Sequence, residues 1–467
     1  MKKVILVTLA AIICFSVFSQ GSSYHIRIKL QGYTDSIAYL GNYFGDKLAI
    51  SDTCTAMNGE MAFRGEVPLR QGVYFLAGMK RNKMFEFLVG NDQDFTIETG
   101  MSSLPNGLTF RGSEENDRFY AYLNYNRDSY NRIKKLRSLL SSLPPGDDSI
   151  AIVREQMELI NTEGIEYKLR IVEEYPNSVL ALLFNVMREA EVPEFFDASG
   201  RHDSLAAYLY YKDHYWEYVD FGDDRFLRTP VFHRKLERYM DDVLPGHPDT
   251  LIKEIDNMIA QTLEGSEMRN YLLWYFTNKY ETSRVMSYDK IFVHMVDTYF
   301  KGKEYDWLHP TVNRNMINRA EQMRNVLIGA YAPSLVMGDT AMQFKSLREV
   351  QADYTVVLFW SSTCGECKKE IELLDEYYDT TGIDLEIYAV NTDTTFSNWK
   401  DFIERKKLDW VNVNGNLSLS GDYHRLYDIY STPVIYLLDG QKAIIAKRIS
   451  ASQLPAVINR HKKGKTK

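Results

Sequence analysis

Residues 360–370 read WSSTCGECKKE. Cys364 and Cys367 stand two residues apart, between the apolar run DYTVVLFW and the charged run CKKEIELLDEYYDT. The first run reads as a buried strand, and the second carries apolar residues at helical intervals. The pair therefore sits where a strand ends and a helix begins. Unpaired backbone N–H groups and the helix dipole favour negative charge there, and the thiolate is the reactive form of cysteine. Cys367, three residues on, shares a helix face with Cys364 and lies close enough to form a disulfide with it. Cys364 can then attack a substrate disulfide and Cys367 can resolve the mixed disulfide.

Other readings of the pair fare less well. A structural zinc site wants four ligands, and no second CxxC or suitable His pair accompanies this one. Haem attachment would need His after the second cysteine, where Lys368 stands. A structural disulfide closing so short a loop adds little stability.

Outward from the motif, the chain from about Val326 alternates elements in the α/β manner. DLEIYAVNTD reads as a strand, TFSNWKDFIERKKL as a helix, and PVIYLLD and AIIAKRI as strands flanking a turn at Asp439-Gly440. ASQLPAVINRH closes as a helix. The order is compatible with a four-stranded central sheet covered by helices. From Ser113 to about Asn325 the pattern is helical. Ser113 followed by Glu114 and Glu115 marks a helix start, and Pro144, Pro145, Pro176, Pro193, Pro230, Pro245 and Pro248 divide the region. The aromatic stretch AAYLYYKDHYWEYVDF reads first as helix-on-helix packing, with a peptide-binding groove as the alternative. His214, His233 and His247 lack the spacing of a helical metal site. From Tyr24 to about Phe110, short runs such as YHIRIKL, GEMAFRGEV, GVYFLAGM and KMFEFLV, punctuated by Asn58-Gly59 and Gly90-Asn91, suggest a β-sandwich.

At 467 residues the chain is long enough for several domains. Its net charge of −8 gives no reason to expect nucleic acid or an anionic membrane as partner. At the N-terminus, Lys2 and Lys3 precede VILVTLAAIICFSVF, with Val17 and Ser19 before Gln20. This reads as a secretory signal peptide over 1–19, too short in its apolar run for a stable membrane span. Cys14 lacks the small residue before it that a lipoprotein signal needs. The mature chain would then keep Cys54, Cys364 and Cys367, too few for a disulfide-built scaffold. Cys54, in KLAISDTC, reads as a small buried residue, with a regulatory thiol as the alternative.

LFW before the motif, CGEC, KKE after it, Thr432-Pro433 near the end and IGAYAPSL upstream resemble the thioredoxin superfamily, specifically the TlpA/ResA-like envelope thioredoxins. The resemblance covers about residues 326–461. The leading segments look like those of multidomain thioredoxin-like proteins of Bacteroidota envelopes. The resemblance implies that Cys364 is the exposed nucleophile, Cys367 the resolving thiol, and Pro433 a cis-proline opposite the disulfide. It further implies that Thr432, Pro433 and Trp360 contact substrate and that Glu370 tunes the thiols, a solvated helix charge being the alternative for Glu370. Thioredoxin's Trp before the first Cys, its Pro between the two and its buried acid are replaced by Thr363, Glu366 and Leu358. A carboxylate beside the thiols should disfavour the thiolate. A peroxiredoxin would want Pro where Val357 stands, which argues against a peroxidase.

The expected architecture is multidomain: a β-sandwich-like module over 20–112, an all-α region over 113–325, and an α/β thioredoxin fold over 326–467. The expected function is that of an exported, periplasmic or envelope thiol–disulfide oxidoreductase. It would act on protein or peptide disulfides as a reductase or isomerase, without metal or organic cofactor but with a partner that resets the cysteines. The alternative is an envelope binding protein that uses the same fold as scaffold.

Overall fold

A computed structural model of the chain describes residues 23–465; the signal peptide expected over 1–19 lies outside the described residues. The chain forms two compact units divided between Val243 and Leu244. That division falls inside the helical region, so helices on either side of it belong to different units.

In the first unit, eight strands come first: β1 (Tyr24–Gln31), β2 (Ile37–Phe44), β3 (Lys47–Thr55), β4 (Glu60–Gly65), β5 (Gly72–Ala77), β6 (Lys83–Val89), β7 (Asp94–Gly100) and β8 (Thr109–Arg111). They form two four-stranded sheets, ordered β4-β1-β7-β8 and β3-β2-β5-β6. Ile26, Ile28 and Leu30 alternate inward along β1, as the two-residue strand period requires. They meet Leu40, Leu76, Phe85 and Phe87 of the other sheet in one core. Asn58 and Gly59, both left-handed, make the β3–β4 turn; a Cβ at Gly59 would come 2.3 Å from the Leu30 carbonyl oxygen, so only glycine fits.

Helices α1 (Glu114–Ser142), α2 (Ser149–Glu174), α3 (Val179–Met187), α4 (Ser204–His214) and α5 (Phe232–Arg238) follow. Ser113 caps α1, its hydroxyl accepting from the Asn116 N–H. Phe119, Tyr120 and Phe184 close over the sandwich core. The aromatic stretch, which spans α4 and the residues after it, packs on itself and on the turn after α5: Tyr215 is buried, and its ring meets Trp216 within the stretch and Tyr239 beyond α5 at 5.0 and 4.8 Å.

The second unit begins with α6 (Pro248–Ala260), α7 (Glu267–Glu281), α8 (Asp289–Met295) and α9 (Pro310–Arg324). Pro248 opens α6 rather than separating helices, since a proline at the first helical position forgoes an N–H that has no partner there anyway. There follow β9 (Val336–Asp339), β10 (Phe344–Ser346), β11 (Tyr354–Trp360), α10 (Gly365–Thr380), β12 (Leu385–Asn391), α11 (Phe396–Lys406), β13 (Val411–Ser418), α12 (Tyr423–Leu426), β14 (Val434–Asp439), β15 (Ile444–Lys447) and α13 (Leu454–Lys465).

The sheet has seven strands, ordered β10-β9-β13-β12-β11-β14-β15, not the four expected. β11, β12 and β13 run parallel, and β14 lies antiparallel to β11. The chain's one-residue alternation along β11 feeds two cores. Val356, Leu358 and Trp360 face Cys367, Ile371 and Leu374 of α10, while Val357 and Phe359 face Tyr427 and Tyr436. β14 and β15 form the hairpin expected around Asp439-Gly440, with a left-handed Lys442 completing its turn. The order of strands and covering helices is that of a thioredoxin fold. Because the parallel strands end where β14 starts, the loops after β11, β12 and β13 gather with the loop before β14 at one edge of the sheet.

Candidate functional site

Cys364 is the N-cap of α10, one residue before the first turn in which the sequence places it. Its Sγ lies 3.1 Å from the Cys367 N–H, which points at it as a cap donor does. Cys364 is partly exposed and Cys367 fully buried. The two are joined as a disulfide with a Cα–Cα separation of 5.2 Å. Only one sulfur of the pair is thus presented to solvent.

The Thr432–Pro433 peptide bond is cis. The Thr432 carbonyl oxygen lies 3.6 Å from the Cys364 Sγ. Thr432 and Pro433 are both partly exposed beside the sulfur.

Glu370, one turn beyond Cys367, is neither free nor freely solvated. Its carboxylate accepts the Ser450 hydroxyl at 2.9 and 3.2 Å and the Ala451 N–H at 2.6 Å. It thereby ties α10 to the turn that leads into α13. The exposed Glu366 in the first turn is paired with Lys369 at 2.7 Å, which leaves the helix dipole at Cys364 opposed by a partly neutralised charge.

Trp360 does not reach the surface. Its side chain is 0% exposed and its ring packs 5.1 Å from Phe402, so the substrate contact expected of it is corrected to a core role. The reason is the strand alternation itself, which sends Trp360 to the same side as Val356 and Leu358.

A polar network lies behind the motif. The Asp393 carboxylate accepts the Ser361 hydroxyl, the Ser362 N–H at 2.8 Å and the Asn391 amide at 3.1 Å. Burial pushes its carboxyl up, but these hydrogen bonds outweigh burial and hold it below the usual carboxylate range. Asn414 in turn donates to Asn391 and to the Asp393 carbonyl, each at 3.1 Å. The network fixes residues 361–363, the three that lead into Cys364. Its signal lay in the alternating Asn412, Asn414 and Asn416 of β13, which look too polar for an internal strand but are hydrogen-bonded in place.

Residues 328–447 match the AhpC/TSA family, residues 24–119 the Domain of unknown function (DUF4369), and residues 161–324 the Domain of unknown function (DUF5106). The chain is 29% identical over 99 residues to Sporulation thiol-disulfide oxidoreductase A of Bacillus subtilis, covering 20% of this chain and 58% of that protein. It is 24% identical over 138 residues to Thiol-disulfide oxidoreductase ResA of Bacillus cereus, covering 29% of this chain and 75% of that one. Among solved structures, a domain of a possible thiol-disulfide isomerase from Cytophaga hutchinsonii is 39% identical and covers 30% of this chain and 97% of that chain, with a TM-score of 0.28. With the fold and the cysteine pair in place, residues 328–447 are an AhpC/TSA-type thioredoxin-like domain, homologous to the ResA-like thiol-disulfide oxidoreductases and set at the C-terminal end of a multidomain chain.

Proposed function

We propose that the chain is an exported thiol–disulfide oxidoreductase acting on protein or peptide disulfides in the periplasm or cell envelope. The observation that carries this reading is the asymmetry of the pair: a partly exposed Cys364 at a helix N-terminus beside cis-Pro433, joined to a buried Cys367. In the reduced chain, the Cys364 thiolate attacks one sulfur of a substrate disulfide. A mixed disulfide forms and the other substrate sulfur leaves as a thiolate. The Cys367 thiolate then attacks the Cys364 sulfur, releasing the second substrate thiol and leaving the Cys364–Cys367 disulfide. Two electrons have passed to the substrate, and a partner dithiol returns them. Thr432 and Pro433 lie where an extended substrate chain would pair, and Glu370 is proposed to tune the thiols through its fixed place one turn beyond Cys367.

The secretory reading of residues 1–19 supports export, and among the described residues no helix is long and apolar enough to cross a membrane. The division into segments 20–112, 113–325 and 326–467 is proposed on the changes in secondary structure. The test is to equilibrate the purified mature chain in graded thiol/disulfide buffers and count free thiols by alkylation. A reversible midpoint near about −270 mV, the thioredoxin value, supports a reductase, and one near about −120 mV makes the chain an oxidant. If the pair never closes reversibly, the oxidoreductase reading is wrong.

A further inference from the structure

The loop that carries Thr432 and Pro433 is tied to α9, a helix outside the thioredoxin-like domain. Asp428, at the start of that loop, has a left-handed backbone, φ 54°, and a side chain that is 5% exposed. Its carboxylate meets two arginines. Arg319 of α9 donates to Oδ1. Arg448, just past β15, donates to Oδ2 and to the Asp428 carbonyl, each at 2.7 Å. A buried carboxylate needs such partners to compensate its charge.

Arg319 does a second thing. It donates to the Tyr430 hydroxyl at 2.9 Å, and its guanidinium carbon lies 4.8 Å from the centre of the Tyr430 ring. The same hydroxyl donates to Gln322, one turn further along α9, at 2.6 Å. Yet Tyr430 is 69% exposed. Its polar end is held in place and most of its ring is open to water. Two residues on stands Thr432, whose carbonyl lies 3.6 Å from the Cys364 Sγ. Residues 430–432 form a bend, so at most about 7 Å of chain separates Tyr430 from Thr432, and a polypeptide with one cysteine at Cys364 can lay a neighbouring side chain on Tyr430. A small disulfide can reach Cys364 without covering the ring. A tethered aromatic ring offers apolar contact at little entropic cost.

Resting on the oxidoreductase reading above, we propose that α9 completes the substrate site: Arg319 is a positioning residue that holds the Asp428–Pro433 loop against Cys364, and Tyr430 determines specificity by receiving an apolar or aromatic side chain that flanks the cysteine of a polypeptide disulfide. The helical segment of this unit then takes part in choosing substrates.

The experiment uses the full mature chain, wild type and variants Tyr430→Ala, Tyr430→Phe and Arg319→Lys, with three reductive substrates: a peptide disulfide with Phe beside its cysteine, the same peptide with Ser there, and 2-hydroxyethyl disulfide. The wild type is expected to favour the Phe peptide by about tenfold in kcat/KM, mostly through KM. Tyr430→Ala should abolish that preference and Tyr430→Phe, which keeps the ring but loses both of its hydrogen-bonded tethers, should weaken it as Arg319→Lys does, with turnover of the small disulfide unchanged within about twofold. Arg319→Lys keeps a charge for Asp428 but gives up the planar fork that also reaches Tyr430. It should weaken the preference while leaving the Cys364–Cys367 midpoint where it was. A preference that survives Tyr430→Ala, or a small-disulfide rate that falls in step with the peptide rates, overturns the proposal. A wild type inert toward all three substrates but holding a reversible disulfide would instead overturn the oxidoreductase reading, and this inference with it.

Discussion

The Sγ of Cys364 lies 3.6 Å from the carbonyl oxygen of Thr432, across the cis bond to Pro433. Sixty-eight residues of sequence separate the two, and the antiparallel pairing of β14 with β11 closes that gap. Because only Cys364 is exposed, the two cysteines should behave differently when replaced singly. Cys367→Ser is expected to accumulate mixed disulfides with polypeptide substrates, since the first attack proceeds and the second cannot. Cys364→Ser should trap none. Non-reducing gels of the two variants after exposure to an oxidised polypeptide check this, and equal trapping by both would contradict the assigned order.

Glu370 joins α10 to the turn before α13 through Ser450 and Ala451. Replacing it with Ala leaves the Ala451 N–H without its acceptor. A loss of about 1–3 kcal/mol is expected, as for a charged hydrogen-bonded group removed from a half-buried site. Chemical denaturation of the oxidised forms measures it. If Glu370 also tunes the thiols, Glu370→Gln should shift the midpoint of the Cys364–Cys367 couple; a loss of stability with an unmoved midpoint would confine Glu370 to its role as a tie.

What the sequence made legible was local. The cysteine pair, the strand before it and the helix after it all follow from one stretch of some twenty residues. The cap at Ser113 and the hairpin at Asp439-Gly440 are equally short-range. The partner of Glu370 lies 80 residues away, and nothing in KKE announces Ser450. β13 was missed because Asn412, Asn414 and Gly415 mask its apolar alternation, although its amides find partners on β12 and the loop after it. β9 and β10, four and three residues long, are too short for a period to register. Trp360 is a different kind of miss. The alternation along TVVLFW puts its side chain on the same face as Val356 and Leu358, whereas the family resemblance puts it against substrate.

Trp360 therefore offers a clean separation of packing from binding. Trp360→Phe should lower stability by about 1–3 kcal/mol, because the smaller ring leaves a void against Phe402. KM for any disulfide substrate should stay within about twofold, since no Trp360 atom reaches solvent. Thermal melting paired with steady-state kinetics checks both halves, and a raised KM in a well-folded variant would restore Trp360 to the substrate surface.

Cys54 sits in β3, partly buried against the sandwich core. Burial is the largest influence on its thiol and pushes it up to about 11. At pH 8 a thiol of that kind has on the order of one thiolate in a thousand molecules. Iodoacetamide applied to the reduced, folded chain should thus label Cys364 and spare Cys54. Mass mapping of the alkylated peptides decides the point; rapid labelling of Cys54 would revive its reading as a regulatory thiol.

Asp393 links the redox loop to the acid stability of its domain. Its folded carboxyl titrates below the unfolded value of about 3.9 because Ser361, Ser362 and Asn391 donate to the charged form. A depressed folded pKa means that the folded state binds its proton less readily than the unfolded one. The stabilisation is therefore fully present above the unfolded value and is lost as pH falls through the folded one. Denaturation midpoints of the wild type should fall as pH drops below about 4. Asp393→Asn removes this titrating group and should flatten that part of the curve. The same variant turns an amide N–H toward one of the donors that Asp393 now accepts, so residues 361–363 lose their fixed course into Cys364. The expected result is a lower stability at pH 7, by about 1–3 kcal/mol, together with slower attack by Cys364 on peptide disulfides. A variant that is less stable but attacks at the wild-type rate would show that the network supports the fold without orienting the nucleophile.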